Sequence, residues 1–408
     1  MNPNLPLTML GGLTPAQFMK TYWQRKPLLV RQAFPGFKPP VSVAALKKMS
    51  RKDDIESRLI WKEQGQWQME NGPFGRLPKM SEPDWTLLIQ SVDVHEDAAA
   101  ALMHQFRFVP DARLDDLMIS LATVGGGVGP HFDSYDVFLL QAHGRRRWQF
   151  GMQKDLSLIP DLPLKILQDF VPDQQYVLEP GDMLYLPPQA AHDGVALDEC
   201  MTISIGFRAP DQAALARGML EAAADQVMAR LGLSSGPYGD PALPGPTLGK
   251  SYRDPTQAAT ACPAQIPDQL IRATIEAASR IKFDEALATR FLGCWLTEPN
   301  QVAVFEPKAF DLDVIAQHLA VAGNGIKKPA SAPTIHWVLD RRTRMLYRGQ
   351  HLFINGEVAP VAALAGLRTL ADVRSLAIDS ATARTLSRDA LEALSEWIDA
   401  GWVHLVQR

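Results

Sequence analysis

GGGVGPHFDSYDVFLLQAHGRRRWQF, residues 125–150, is the stretch from which the fold is read outward. It holds His131 and Asp133, two residues apart. In an extended strand such residues share a face, so an imidazole and a carboxylate project into one space. That pair supplies two of the three groups of a two-histidine, one-carboxylate triad, which leaves open positions on a non-haem Fe(II). The third group is expected from a histidine on another strand. Residues 178–192, LEPGDMLYLPPQAAH, offer His192. Pro180-Gly181-Asp182 forms a tight turn into a short apolar strand, Pro187-Pro188 ends it, and His192 follows. An H-x-D pair alone is as a rule a polar loop pair; joined to the downstream histidine it points to a metal site. The glycines at 125–127 and 129 permit a sharp approach to His131. They are not a phosphate loop, because the required Lys and Ser/Thr are missing.

Around this stretch the chain reads as short strands with Gly and Pro turns. The clearest lie at 118–122, 137–141, 146–150, 175–178, 183–186 and 201–206. That texture predicts a jelly roll or barrel, mainly β with some α, rather than a parallel sheet with crossover helices. Further upstream, Thr14-Pro15-Ala16-Gln17 reads as a capped helix start. A strand at 28–30, a short helix at 44–49 and a hairpin over 61–69 follow.

Three ligands on one face leave room for a 2-oxoacid and O2, and a co-substrate such as 2-oxoglutarate needs a cation for its far carboxylate. The run Arg145-Arg146-Arg147-Trp148-Gln149-Phe150 provides one. Alternation puts Arg146 on the side of Trp148 and Phe150, facing the barrel interior. A guanidinium buried there needs a carboxylate partner. The competing reading places all three arginines on a solvated face or against local acids. Thr202 and Ser204 share a face of their strand and, with Ser120, are candidates for hydroxyl bonds to the co-substrate; bonding to local backbone is the competing role. Tyr135 and Asp136 follow the ligand pair, with the substrate face and strand packing both open to them.

After Pro210 the texture changes. Residues 211–231 are Ala-rich, with Leu215, Met219, Ala223, Val227 and Leu231 at helical spacing. Residues 234–267 are rich in Pro, Gly and Ser and read as a long surface loop. Asp268 is expected to cap a second helix carrying Leu270, Ile271, Ile275 and Ile281, and a third begins near Phe283. These apolar stripes fit either a dimer interface or packing on the chain's own barrel. Strands at 335–339 and 345–347, an Asn355-Gly356 turn, a helix capped by Ser387 and a terminal strand over 402–406 suggest a winged-helix-like module. The divisions are 1–209, 210–288 and 289–408.

The net charge of −4 and balanced C-terminal charges argue against direct nucleic-acid binding. The longest apolar runs are too short to span a bilayer, and no basic-then-apolar signal opens the chain. Three cysteines, Cys200, Cys262 and Cys294, lack metal-type spacing and fit a reducing cytoplasm.

The stretches LDDLMISLATVGGGVGPHFDSYDVFLLQAHGRRRW, LEPGDMLYLPPQAAHDG and SIGFRAP, with YWQRKPLLVRQAF near the start, closely resemble the JmjC-type ribosomal oxygenases, specifically the bacterial arginine hydroxylases. The resemblance implies a JmjC double-stranded β-helix of the cupin type, a helical dimerisation region and a C-terminal winged helix. It makes His131, Asp133 and His192 the catalytic iron ligands and puts Arg146 where animal relatives carry a Lys for 2-oxoglutarate. It implies hydroxylation, with Fe(II), 2-oxoglutarate and O2, of an arginine β-carbon on the sixteenth protein of the large ribosomal subunit. Together with the apolar stripes after Pro210, that dimerisation region predicts a homodimer. The 234–267 insert is longer than the family pattern. Two alternatives stand beside this: a related oxygenase acting on histidine or lysine, and a non-enzymatic cupin-like binding module.

Overall fold

The structure is a computed structural model that describes residues 2–307, 335–379, 382 and 386–407. The chain divides into two compact units, Met1–Ala209 and Pro210–Arg408.

The first unit begins with the helix Pro15–Thr21. The Thr14 hydroxyl accepts from Gln17 N at 3.1 Å, and the Gln17 side-chain Oε1 accepts from Thr14 N at 2.9 Å, the reciprocal cap that the sequence predicts. Such a cap contributes about 1 kcal/mol. It places the fully buried Phe18 among Trp23, Phe108, Phe138 and Tyr185.

Eleven strands follow: β1 (Leu28–Val30), β2 (Ser57–Glu63), β3 (Gln66–Asn71), β4 (Trp85–Ile89), β5 (Leu114–Ala122), β6 (Val137–His143), β7 (Arg146–Gly151), β8 (Gln174–Leu178), β9 (Met183–Leu186), β10 (Ala191–Ala196) and β11 (Cys200–Phe207). They form an eight-stranded sheet, β1-β9-β6-β11-β5-β4-β2-β3, and a three-stranded sheet, β10-β7-β8. This is the expected jelly roll. Alternation sorts its residues into two cores. Val137, Leu139, Leu184 and Leu186 of the large sheet meet Trp148, Phe150 and Leu178 of the small one. Phe138, Leu140, Tyr185, Ile203 and Ile205 point the other way and pack under the N-terminal elements, with Phe18, Trp23 and Leu46.

The 61–69 hairpin is present, turned at Gln64-Gly65 with φ of 50° and 81°. Two strands go unread in the sequence. β4 is apolar on both faces and so shows no alternation. β10 carries Asp193 and Gly194, residues that favour turns, yet its backbone pairs with β7 throughout. His192 thus follows β9 and lies on another strand, β10, as the sequence predicts.

In the second unit Asp211 caps the helix Gln212–Arg230, its side chain accepting from Ala214 N. The buried line of this helix is Gly218, Ala222, Ala223 and Gln226, with Leu215 and Met219 only half-buried at its side. The line is rotated from the predicted Leu-Met-Val stripe because Phe291 of the helix Glu285–Thr297 packs directly on Gly218, where no side chain fits. That second helix runs through the division placed at 288. The start of the long loop is pinned to these helices. The Gln226 amide donates to Tyr238 O at 2.6 Å and accepts from Leu243 N at 2.6 Å, and Arg290 donates to Pro241 O at 2.8 Å. The helix Asp268–Ser279 lacks the expected Asp268 cap: Pro267 holds the cap position and no side chain bonds there. Ile281 falls beyond its end.

The C-terminal strands are β12 (Ile335–Leu339), β13 (Met345–Arg348), β14 (His351–Ile354), β15 (Glu357–Val358), β16 (Ser375–Ala377) and β17 (Val403–Gln407). They form the sheets β16-β12-β17 and β13-β14-β15. With the helices Ala365–Val373 and Arg388–Asp399 they enclose Trp337, Leu367, Leu394 and Trp397. Asn355-Gly356 makes the β14–β15 turn and Ser387 caps the last helix, both as predicted. Residues 308–334 of the expected 289–408 module lie outside the described residues.

Candidate metal and co-substrate site

The glycine-rich segment leads into the His131–Asp133 pair. Gly125 N donates to Ala196 O and Ala196 N to Gly126 O, both at 2.9 Å, so this segment is tied to the end of β10. A Cβ at Gly127 would lie 2.7 Å from Gly194 O, and one at Gly129 (φ +80°) would lie 2.6 Å from Ile166 and 2.7 Å from Trp67. Only glycine fits between these walls. His131 then pairs with His192, exchanging backbone bonds of 2.9 and 2.8 Å.

That pairing brings three side chains together. The candidate ligand atoms of His131, Asp133 and His192 lie within 4.8 Å of one another. The rings are 4.2 Å apart, and His192 Nε2 is 3.8 Å from the Asp133 carboxylate. Each imidazole has its Nδ1 2.8 Å from a backbone carbonyl, Gly129 O for His131 and Ala190 O for His192. A carbonyl can only accept, so Nδ1 carries the hydrogen and Nε2 is left as a lone-pair donor. Burial, reinforced by His131, pushes His192 down to about 4, against the pull of Asp133, which keeps the ring neutral. Two imidazoles and a carboxylate, with no thiolate, form a donor set suited to Fe(II).

Arg146 is 3% exposed and shares a face with Trp148 and Phe150, as alternation requires. Among the described residues its Nε and Nη2 have no hydrogen-bond partner, and neither does the Trp148 indole N–H. Buried donors are paired in nearly all proteins, so three orphans on one interior face call for an acceptor-rich ligand. Arg145 behaves differently: its guanidinium pairs with Asp198 at 2.9 Å on the surface.

The hydroxyl candidates divide. Thr202 donates to the Gln141 carbonyl at 2.9 Å, and Ser120 reaches Thr202 O at 3.4 Å. The Ser204 hydroxyl makes no hydrogen bond among the described residues, while its backbone sits in the β11 ladder. Tyr135 and Asp136 also part company. Asp136 is fully buried, receives bonds from Tyr185 at 2.6 Å and Gln24 at 2.9 Å, and is a strut. Tyr135 is 40% exposed at the mouth, its phenol held from ionising by burial and by the Asp133 and Asp116 carboxylates.

Asp116 was missed in the sequence. Parity gives it away: it shares the interior face of β5 with Met118 and Ser120, and Met118 pairs across to Ser204. Its carboxylate is 3.4 Å from a Cβ built on Gly206, where the Tyr135 ring is 3.9 Å away. Burial, then the Asp93 and Asp115 carboxylates, raise Asp116 to about 7. The Asp116 carboxylate also accepts from Ser91 N at 3.1 Å.

A double-stranded β-helix with this triad and a buried cation defines the class of 2-oxoglutarate oxygenase folds. Comparison narrows it. Residues 101–215 match the JmjC domain family, and residues 280–404 match the ROXA-like winged helix. The chain is 41% identical over 230 residues to the ribosomal protein uL16 3-hydroxylase of Escherichia coli K12, covering 56% of this chain and 60% of that protein. It is 35% identical to a probable ribosomal oxygenase of Haemophilus influenzae, covering 51% and 52%. These matches thus span between half and three fifths of the curated relatives. The solved structure of YcfD, a ribosomal oxygenase from E. coli, in complex with cobalt and 2-oxoglutarate matches with a TM-score of 0.72 at 29% identity, over 96% of this chain and 98% of that one. The chain thus carries a JmjC domain and a ROXA-like winged helix and is similar, over these spans, to ribosomal oxygenases.

Proposed function

We propose that the chain is an Fe(II)- and 2-oxoglutarate-dependent dioxygenase that hydroxylates the β-carbon of an arginine in ribosomal protein uL16. The observation that carries this reading is the pairing, on one interior, of the His131–Asp133–His192 cluster with the orphaned guanidinium of Arg146. The Nε2 atoms of His131 and His192 and the Asp133 carboxylate would hold the metal. Arg146 lies four residues along the strand pairing from His192, about 13 Å at strand rise. An imidazole reaching in from one end and a long guanidinium from the other leave room for a short dicarboxylate. Arg146 would take its far carboxylate, with Trp148 N–H and Ser204 as added donors. When bound, iron with 2-oxoglutarate and O2 supplies an oxidation that turns a C–H into C–OH and releases succinate and CO2. The apolar walls, Val137, Leu139, Leu184 and Leu186, keep water from the pocket. Formation of succinate only when Fe(II) and 2-oxoglutarate are both present tests the chemistry; no succinate with either peptide or intact ribosomal protein would refute it.

Asp116 and Tyr135 at the mouth suit a guanidinium. An arginine pairs with ionised Asp116, so its binding favours the deprotonated form. Peptide KM is therefore expected to fall as pH rises through about 7 and level off above. Asp116→Asn should raise the peptide KM on the order of 30-fold and flatten that dependence, with 2-oxoglutarate KM unchanged. A steep pH profile surviving in the Asn variant would remove Asp116 from this role. The same raised pKa values carry a stability cost. Ionising Asp93 (about 6) and Asp116 (about 7) is harder in the fold than in the open chain, so both groups lower stability as pH climbs from about 4 to about 7.

A homodimer is part of the proposal. The helix Asp268–Ser279 has no buried residue, and Leu270, Ile271 and Ile275 are 38%, 46% and 63% exposed. Such a stripe gains by meeting its copy about a twofold axis. Sedimentation at micromolar concentration should give a dimer and Ile275→Asp a monomer; a monomeric parent protein would contradict it. Leu215 is a poorer probe, since it packs within its own unit. Placement in the cytoplasm rests on the free thiols Cys200, Cys262 and Cys294 and on the ribosomal substrate. Among the described residues no helix is long and apolar enough to cross a membrane. The net charge of −4 favours a protein contact over nucleic acid.

A further inference from the structure

β3 ends the eight-stranded sheet and, among the described residues, pairs with β2 alone. The hairpin register fixes which of its backbone groups are used. Glu63 and Gln66 flank the two-residue turn, so the pairs 63/66, 61/68 and 59/70 exchange the ladder bonds. Gly72 N to Ser57 O, at 2.9 Å, continues the same alternation. The N–H and C=O groups of Trp67, Met69 and Asn71 therefore point out of the sheet, and among the described residues nothing bonds to them. Proteins commonly blunt such an edge with lysine, proline or a bulge. β3, QWQMEN, has none of these.

The edge also lies against the site. The Trp67 indole flanks Gly129, two residues before His131, and Ile166 flanks the same glycine. At about 3.3 Å per residue, an extended chain running past Trp67 comes level with the ligand cluster within a few residues. A protein substrate needs such a segment, because the cluster is inside the barrel, with His192 only 2% exposed. We propose that the substrate protein docks by adding an extended segment to β3 as a further strand, so that main-chain bonds to Trp67, Met69 and Asn71 hold it while one side chain enters the barrel. This rests on the oxygenase reading above. Strand addition gives affinity with little dependence on sequence, and leaves selectivity to the mouth, where Asp116 and Tyr135 stand.

The test uses the full-length protein and a uL16 peptide containing the target arginine. Amide hydrogen exchange should slow at Trp67, Met69 and Asn71 when the peptide saturates the protein, and stay unchanged at Gln68 and Glu70, already bonded to β2. Met69→Pro removes an outward N–H while sparing the β2 ladder. It should raise peptide KM on the order of tenfold with 2-oxoglutarate KM unchanged. Met69→Ala keeps the N–H and should bind peptide like the parent. Unchanged exchange at the three amides under saturating peptide would overturn the proposal, even if the proline variant fails to fold. So would protection that grows with protein concentration in the absence of peptide, which would assign the edge to a second copy. If the parent protein converts 2-oxoglutarate and modifies the peptide but these amides stay unprotected, only the docking falls. If it does neither, the oxygenase reading falls first.

Discussion

Asp133→Ala is expected to keep the fold and lose iron-dependent turnover. Asp133 is the sole carboxylate in the cluster, and its side chain is 22% exposed. Its backbone also serves the fold, since Asp133 O accepts from Gln189 N at 2.7 Å, and alanine retains that bond while losing only the carboxylate contact to the Tyr135 phenol. Loss of the carboxylate leaves two imidazoles, a much poorer set for a hard divalent cation. Losing even an outer-shell partner of a metal ligand costs about 10–100-fold. Losing the ligand itself should cost more, taking succinate formation below detection. His131→Ala should do the same. Fe(II) or Co(II) titration separates binding from activity: the parent should bind one metal per chain and both variants far more weakly. Normal metal affinity and turnover in Asp133→Ala would exclude this residue as a ligand.

Arg146→Ala should abolish co-substrate binding at ordinary concentrations. Truncating one member of a buried charge pair costs about 2–5 kcal/mol, on the order of 30- to 4,000-fold in affinity. Arg146 also stacks near Trp148, at 5.8 Å, so alanine removes packing as well as charge. Arg146→Lys keeps the charge but not the paired N–H geometry, and should retain part of the affinity. Arg145→Ala is the control, since its guanidinium faces Asp198 at the surface. A titration of 2-oxoglutarate into each protein distinguishes them. Equal affinities for the parent and Arg146→Ala would dismiss the assignment.

These expectations were open to a reader of the sequence because they rest on period-two parity. Arg146 with Trp148 and Phe150, and His131 with Asp133, fall on their faces by counting alone. Parity could have found Asp116 as well, but the counting begins only once β5 is known to start at Leu114, whereas the apolar run is obvious only from Met118. The role of Thr202 was not legible. Its hydrogen goes to Gln141, whose amide is turned by His143 O at 2.8 Å and Gly144 O at 3.1 Å, and that contact joins strands far apart in the chain. The capping of the helix at 268 was misread for a different reason: Pro267 already supplies the extended cap conformation, so Asp268 enters the first turn. The open edge of β3 is a property of sheet order, which no local pattern encodes.

Intact-mass and fragment-ion spectrometry of uL16 tests the central claim most directly. The protein is incubated with the purified enzyme, Fe(II), 2-oxoglutarate and isotopically labelled O2. The account predicts a gain of one labelled oxygen atom on uL16, localised to a single arginine and at its β-carbon. It predicts no gain when 2-oxoglutarate is omitted or Asp133→Ala is used. Unmodified uL16 under conditions where the enzyme converts 2-oxoglutarate to succinate, or oxygen placed on a histidine or lysine instead, would contradict it.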